Sequence, residues 1–147
     1  MWGILMRDVL TALKRIRKHR KKGAEQAFVE AERAREMIEA RVNAIEASVA
    51  TSRDGGCDGD EAAWVAQAAA WRMKMEMRLR TERGRLAERV EVSESRQRDL
   101  AMASREHRVV ERIIEINDDR RKLEKRRKDD KKLDAMGTNR WRRKGAS

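Results

Sequence analysis

The sequence predicts an all-α fold: a long antiparallel two-helix coiled-coil hairpin with an overhanging C-terminal helix. Three observations carry this reading. The 147 residues include no proline, and 43% are charged against 3% aromatic, too few large apolar side chains for a globular core. Ala, Arg, Glu, Lys, Leu and Met are abundant, all strong helix formers. Two long segments space apolar residues by three and four, which draws one seam along a helix. Between them lies Thr51-Ser52-Arg53-Asp54-Gly55-Gly56-Cys57-Asp58-Gly59-Asp60, with three of the eight glycines. Glycine reaches positive φ without steric cost, and Asp and Ser bond back onto local backbone, so this stretch favours a turn.

The first helix is expected over about residues 3–51. Its stripe runs Trp2, Met6, Val9, Leu13, Ile16, then Ala24, Ala27, Ala31, Ala34, Ile38, then Val42, Ile45, Val49. The small alanines invite close approach of a partner helix. Gly23 weakens the helix by about 1 kcal/mol relative to Ala and marks a candidate bend. A turn is expected over about 52–60. The second helix then spans about 61–136, N-capped by Asp58 or Asp60 with Glu61 in its first turn, where the macrodipole favours acid. Its stripe is Ala68, Trp71, Met75, Leu79, Glu82, Leu86, Val90, Ser93, Gln97, Leu100, His107, Val110, Ile114, thinning to Leu123, Leu133 and Met136. A basic tail, 137–147, completes a single 147-residue domain. The helices would measure roughly 70 and 110 Å at 1.5 Å per residue.

A turn centred near Gly56 makes facing residue numbers sum to about 112. Trp2, Ile4 and Leu5 would then lie near Val109, Val110, Ile113 and Ile114, and everything after about Ile116 would overhang.

Charge is segregated. Residues 1–23 carry net +7, 24–60 net −5, 61–111 net +2 and 112–147 net +7, for +11 overall and an isoelectric point near 10.5. Acidic partners follow: nucleic acid, an anionic membrane or an acidic protein surface. A single cysteine forms no intramolecular disulfide and fits a reducing compartment. The start lacks a basic n-region with a long apolar run, and no stretch reaches the roughly 20 apolar residues of a membrane span. A cytoplasmic protein is expected.

No phosphate-binding loop, dinucleotide motif, His-Glu-x-x-His or Gly-x-Ser-x-Gly occurs, so neither enzymatic activity nor a cofactor is expected. With facing numbers near 112, His19 would lie some 14 residues, roughly 20 Å, from His107, too far to share a metal. Cys57 reads as an exposed thiol at the tip. The cluster Trp64, Trp71, Met73, Met75, Met77, Leu79 reads either as loose packing near the turn or as an adaptable landing site, since methionine repacks easily. The basic runs 13–22 and 120–128 have the composition of phosphate-backbone binders. Seven acids between Glu115 and Asp134 interrupt the second, which favours a solvated face with i,i+4 pairs. The first ten residues also have the pattern of a helix lying on an anionic membrane.

Leu13-Lys14-Arg15-Ile16-Arg17, Ala24-Glu25-Gln26-Ala27, Ala31-Glu32 and Glu46-Ala47 resemble the first helix of the YscO family of type III secretion proteins. That family is similar to the flagellar export protein FliJ and, more distantly, to the γ stalk of rotary ATPases. The stretch from Glu111-Arg112-Ile113-Ile114-Glu115 to Lys131-Lys132-Leu133-Asp134 resembles the family's charged C-terminal helix. The resemblance spans nearly the whole chain but rests on degenerate motifs. The chain departs from it after Met136, where Gly137-Thr138-Asn139-Arg140-Trp141-Arg142-Arg143-Lys144 replaces a Glu-rich end.

The resemblance implies a non-enzymatic stalk between a hexameric type III export ATPase and the cytoplasmic ring protein of the export gate, peripheral to the inner membrane, with secretion chaperones as further partners. On that implication the ATPase would grip Leu123, Arg126, Arg127, Lys128, Leu133 and Met136, with Arg15 and Lys18. The gate would meet Arg72, Met73, Lys74, Met77 and Arg78. Two other classes stay open: a basic coiled-coil nucleic-acid binder and a homodimeric coiled-coil adaptor.

Overall fold

The computed structural model describes residues 2–54 and 61–146. Among them are two α-helices and no strand: α1, Trp2–Asp54, and α2, Glu61–Gly145. The helices pack antiparallel as an all-α hairpin, as the composition and the two stripes predict. α1 takes in Ser52–Asp54, which were expected in the turn. The proposed caps Asp58 and Asp60, the thiol of Cys57 and the Trp2 side chain lie outside the described residues. α2 does not stop near Met136 but continues through Gly137, whose position is open to solvent, to a last turn with Arg142, Arg143 and Lys144. Cations there complement the negative end of the helix dipole. Hydroxyls inside the helices, such as those of Thr11, Thr81 and Thr138, turn back onto the carbonyl four residues earlier, so they need no other partner.

The chain divides into two compact units: unit 1, Met1–His19 with Ser104–Ser147, and unit 2, Arg20–Ala103. In unit 2 the seam is apolar and narrow. Val42 and Ile45 are buried, flanked by half-buried Ala24, Ala27, Ala31, Ala34, Ile38 and Val49 from α1 and by Trp71, Met75, Leu79, Leu86, Val90 and Leu100 from α2. The expected stripes therefore hold here, except that Gln97 is exposed. Three polar residues sit in the seams as deeply as the apolar ones: Glu82 and Ser93 in unit 2, His107 in unit 1.

In unit 1 the α1 stripe falls on another face than expected. Met6, Val9 and Ile16 are 62%, 64% and 52% exposed. Of the expected stripe Leu13 is half-buried, and Leu10, Lys14 and Arg17, which lay outside it, turn inward beside it toward the level of His107, Val110 and Ile114 of α2. Traced back from Ala24 at helical spacing, the seam passes through Lys21, Arg17 and Lys14. Long cationic side chains lay their stems along an apolar surface and keep their heads at its edge. A search for apolar residues steps over them onto the wrong face.

The register also differs from the expected one. In unit 1 the bonded pairs are Gly3–Arg121, Lys14–Glu111 and Arg17–Glu106. In unit 2 they are Glu32–Ser93, Glu46–Arg83 and Ser52–Arg72. Facing numbers thus sum to between 123 and 129, not 112. The expected value assumed that the two helices end level. With Ser52 beside Arg72, the first turns of α2 precede the level of the α1 end. Gly3 meets Arg121, so Ile4 and Leu5 lie level with residues near 120, not with Val109–Ile114. The overhang begins after Arg121 rather than near Ile116.

Candidate partner-binding surfaces

Unit 1 holds 21 Lys and Arg against 10 Asp and Glu, and unit 2 holds 16 against 16. The whole net charge of +11 therefore belongs to unit 1. Much of it lies on α2 beyond the last bond to α1 among the described residues, in which Arg121 Nη2 donates to the Gly3 carbonyl at 3.0 Å. Every residue from 118 to 146 is exposed. This segment carries the candidate ATPase contacts Leu123 (49% exposed), Arg126, Arg127, Lys128, Leu133 and Met136. At 100° per residue Leu123, Arg126 and Leu133 share one side of the helix, with Met136 at its margin, while Lys128 points nearly the opposite way.

Arg15 and Lys18 are exposed on α1. The pairs Lys14–Glu111 and Arg17–Glu106 set them level with residues near 106–110. That is about 14 residues, roughly 20 Å, along α2 from Leu123. The structure does not gather them with the 123–136 group.

The candidate gate residues also divide. Met73 and Met77 are 66% and 65% exposed, with Lys74 exposed beside them. Met75 faces the seam. Arg72 turns inward: its Nη2 donates to the Ser52 carbonyl at 3.3 Å and its Nε is buried without a partner. It is a tie between the helices and not a free surface cation. Arg78 lines a groove of about 300 Å³ with Arg41, Ala44, Ile45, Trp71, Met75 and Glu82. Trp71 is thus a groove and seam residue, while Trp64, 42% exposed, is not.

The register correction brings His19 and His107 to nearly the same level, so the argument from distance fails. They are kept apart by orientation. His107 is buried in the seam with Nδ1 3.7 Å from a Glu111 oxygen, whereas His19 is exposed. Among the described residues no three of His, Cys, Asp and Glu gather as a metal site. Likewise, among them no helix is long and apolar enough to cross a membrane.

The sequence reading missed the polar rungs across the seam. Arg17 bonds Glu106, Lys14 approaches Glu111 at 3.5 Å, and Arg83 bonds Glu46 at 2.6 Å. In unit 2 the Ser93 hydroxyl donates to Glu32, which also binds Arg35. The signal was present: charged residues at seam spacing on both helices, opposite in sign once the register is known.

No protein-family model, curated protein or solved structure is detectably similar to the chain.

Proposed function

We propose that this chain is a non-enzymatic stalk of a type III secretion system, coupling a hexameric export ATPase to the export gate and stimulating ATP hydrolysis. It would work in the cytoplasm, beside the inner-membrane apparatus, with secretion chaperones as further partners. The resemblance of both helices to the YscO and FliJ proteins motivates the reading. The observation that carries it furthest is the exposed, cationic helix beyond Arg121, with Leu123, Leu133 and Met136 among its charges. An ATPase ring lined by carboxylates would find there both an electrostatic attraction and an apolar grip. Met73, Lys74 and Met77 remain the candidate gate contacts.

The test is co-purification with a hexameric type III export ATPase, followed by ATP hydrolysis with and without this chain. A stoichiometric complex with faster turnover is expected. Neither binding nor stimulation would sink the reading.

A second reading, a nucleic-acid binder, is favoured by the concentration of +11 in unit 1. Against it, acids interleave the cations and pair with them, as in Arg112–Glu115 and Lys122–Asp119. Binding to duplex DNA should fall steeply with salt, by about 0.9 in log–log slope per phosphate neutralised, and be gone at physiological salt. Sequence-selective binding that persists there would favour this reading over the stalk.

A further inference from the structure

The charge of unit 1 is accompanied by an apolar face that no helix covers. On α1, Leu5, Val9, Ala12 and Ile16 follow at steps of four, three and four, about a third of a turn from the seam line of Leu10, Lys14 and Arg17. On α2, Val109, Ile113 and Ile116 repeat the steps, about a third of a turn from Val110, Ile114 and Asn117. Viewed from each helix's own N-terminus, both stripes are displaced from the seam in the same sense. The helices are antiparallel, so the two stripes emerge on the same side of the pair. The register matches them as well: Lys14–Glu111 and Arg17–Glu106 set Ile16 level with Val109, and Gly3–Arg121 sets Val9 level with Ile116.

All six large aliphatic side chains are open to solvent: Leu5 64%, Val9 64%, Ile16 52%, Val109 58%, Ile113 41% and Ile116 45% exposed. A face of this kind marks a docking surface. Between their ends neither stripe contains a carboxylate; the α2 stripe is bounded by Glu106, which is paired with Arg17, and by exposed Arg120.

Two features identify the occupant. Residues 1–19 and 104–121, which carry the face, hold net +4 and the adjoining 122–147 another +7, so a second copy brought to this face would meet like charge, whereas an anionic surface is attracted. Two grooves of unit 1, about 600 and 280 Å³, are lined by residues such as Ile4, Arg7, Thr11 and Arg121, and by none of the six. The six lie outside those grooves, on the outer surface of the two helices. A protein partner needs shape to interlock with; a bilayer accepts aliphatic side chains without it and supplies phosphate for the surrounding cations.

We propose that unit 1 docks through this face on the surface of an anionic lipid bilayer, its aliphatic side chains entering the headgroup boundary and its cations meeting lipid phosphates. The proposal does not depend on an ATPase and can be tested on the isolated full-length chain. Flotation with vesicles of phosphatidylcholine alone, and of phosphatidylcholine with phosphatidylglycerol, would be measured for the parent and three variants. Binding to the anionic vesicles alone is expected. The triple changes Leu5→Gln/Val9→Gln/Ile16→Gln and Val109→Gln/Ile113→Gln/Ile116→Gln should each weaken it on the order of 100-fold, because each removes three aliphatic side chains from the membrane boundary. Ile4→Gln, on the groove side, should leave it unchanged. Circular dichroism checks that all variants keep their helices.

Absence of binding to anionic vesicles would overturn the proposal. So would binding that both triple variants retain, since charge alone would then account for it. Light scattering that shows a dimer lost in both variants would assign the face to a second copy instead. Face variants that lose a protein partner while the parent ignores vesicles would assign it to that partner.

Discussion

The Ser93 hydroxyl donates across the seam of unit 2 to the carboxylate of Glu32, and Arg35 binds the same carboxylate from one turn away on α1. The Arg35 bonds, and then the Ser93 bond, hold Glu32 below its ordinary value of 4.5, while Arg35 is raised above its own. A carboxyl whose folded value is depressed contributes stability that is present above its unfolded value and is lost as pH falls through the folded one. This contribution is therefore intact at neutral pH and disappears on acidification below about pH 4.5. Ser93→Ala removes one donor and lets Glu32 return toward its ordinary value. The loss of melting temperature between pH 6 and pH 3 should be smaller in Ser93→Ala than in the parent, and smaller again in Glu32→Gln. Three identical pH profiles would show that the rung contributes nothing.

Glu82 presents the opposite case. It is 7% exposed beside Ile45, Trp71 and Met75, with one oxygen 3.0 Å from Arg85 Nη1 and the other unpartnered. A desolvated carboxylate with one bonded oxygen costs more than it returns. Glu82→Leu should stabilise the protein by about 1–2 kcal/mol and raise Tm by several degrees. A lower Tm would mean that Glu82 fixes the pairing of the helices rather than weakening it.

The course of Glu82, Ser93 and His107 along the α2 stripe shows what could be read from the sequence. Helical spacing between Trp71 and Ile114 placed these three polar residues in the seam, and all three are buried there. The α1 seam from Ala24 to Val49 was equally legible, because small and aliphatic residues recur without a break. Near the N-terminus the seam is built on Lys14, Arg17 and Lys21, whose positions carry no apolar signal. The same segment offers a second, better apolar stripe, Leu5, Val9 and Ile16, that faces solvent. Register was not legible either. It is set by pairs such as Arg17–Glu106 and Glu32–Ser93, and many other alignments of two charge-rich helices match opposite charges. The gate group does not share one face for a related reason: Met73 and Lys74 look outward, but Arg72 one residue earlier looks toward α1.

Gly84 lies well inside α2, and a Cβ built on it meets no atom within 4 Å. The residue therefore contributes chain entropy to the unfolded state and nothing to packing. Gly84→Ala should stabilise the protein by about 0.5–1 kcal/mol, with a matching rise in Tm. Gly23, also open, should respond alike, since α1 passes through it as continuous helix. A destabilised variant at either position would point to a close approach there by another molecule.

The stalk reading stands or falls on Arg126, Arg127 and Lys128. All three are exposed on α2, beyond the Arg121–Gly3 bond, which is the last to α1 among the described residues. None of the rungs of unit 1, Arg17–Glu106, Lys14–Glu111 or Gly3–Arg121, involves them. Replacing all three by Glu should therefore leave the packed hairpin and its melting transition unchanged. It reverses three charges, a change of six units, in the segment offered to an acidic ring. Binding to the export ATPase should fall by at least tenfold, and stimulation of hydrolysis with it. The control is Met73→Ser/Lys74→Glu/Met77→Ser on the outward face of unit 2, which spares Arg72 and its bond to Ser52. That variant should bind the ATPase like the parent. If the reversed-charge variant also binds and stimulates like the parent, the cationic helix is not the ATPase contact. If only the control loses binding, the two surfaces have exchanged roles, and unit 2 rather than unit 1 meets the ring.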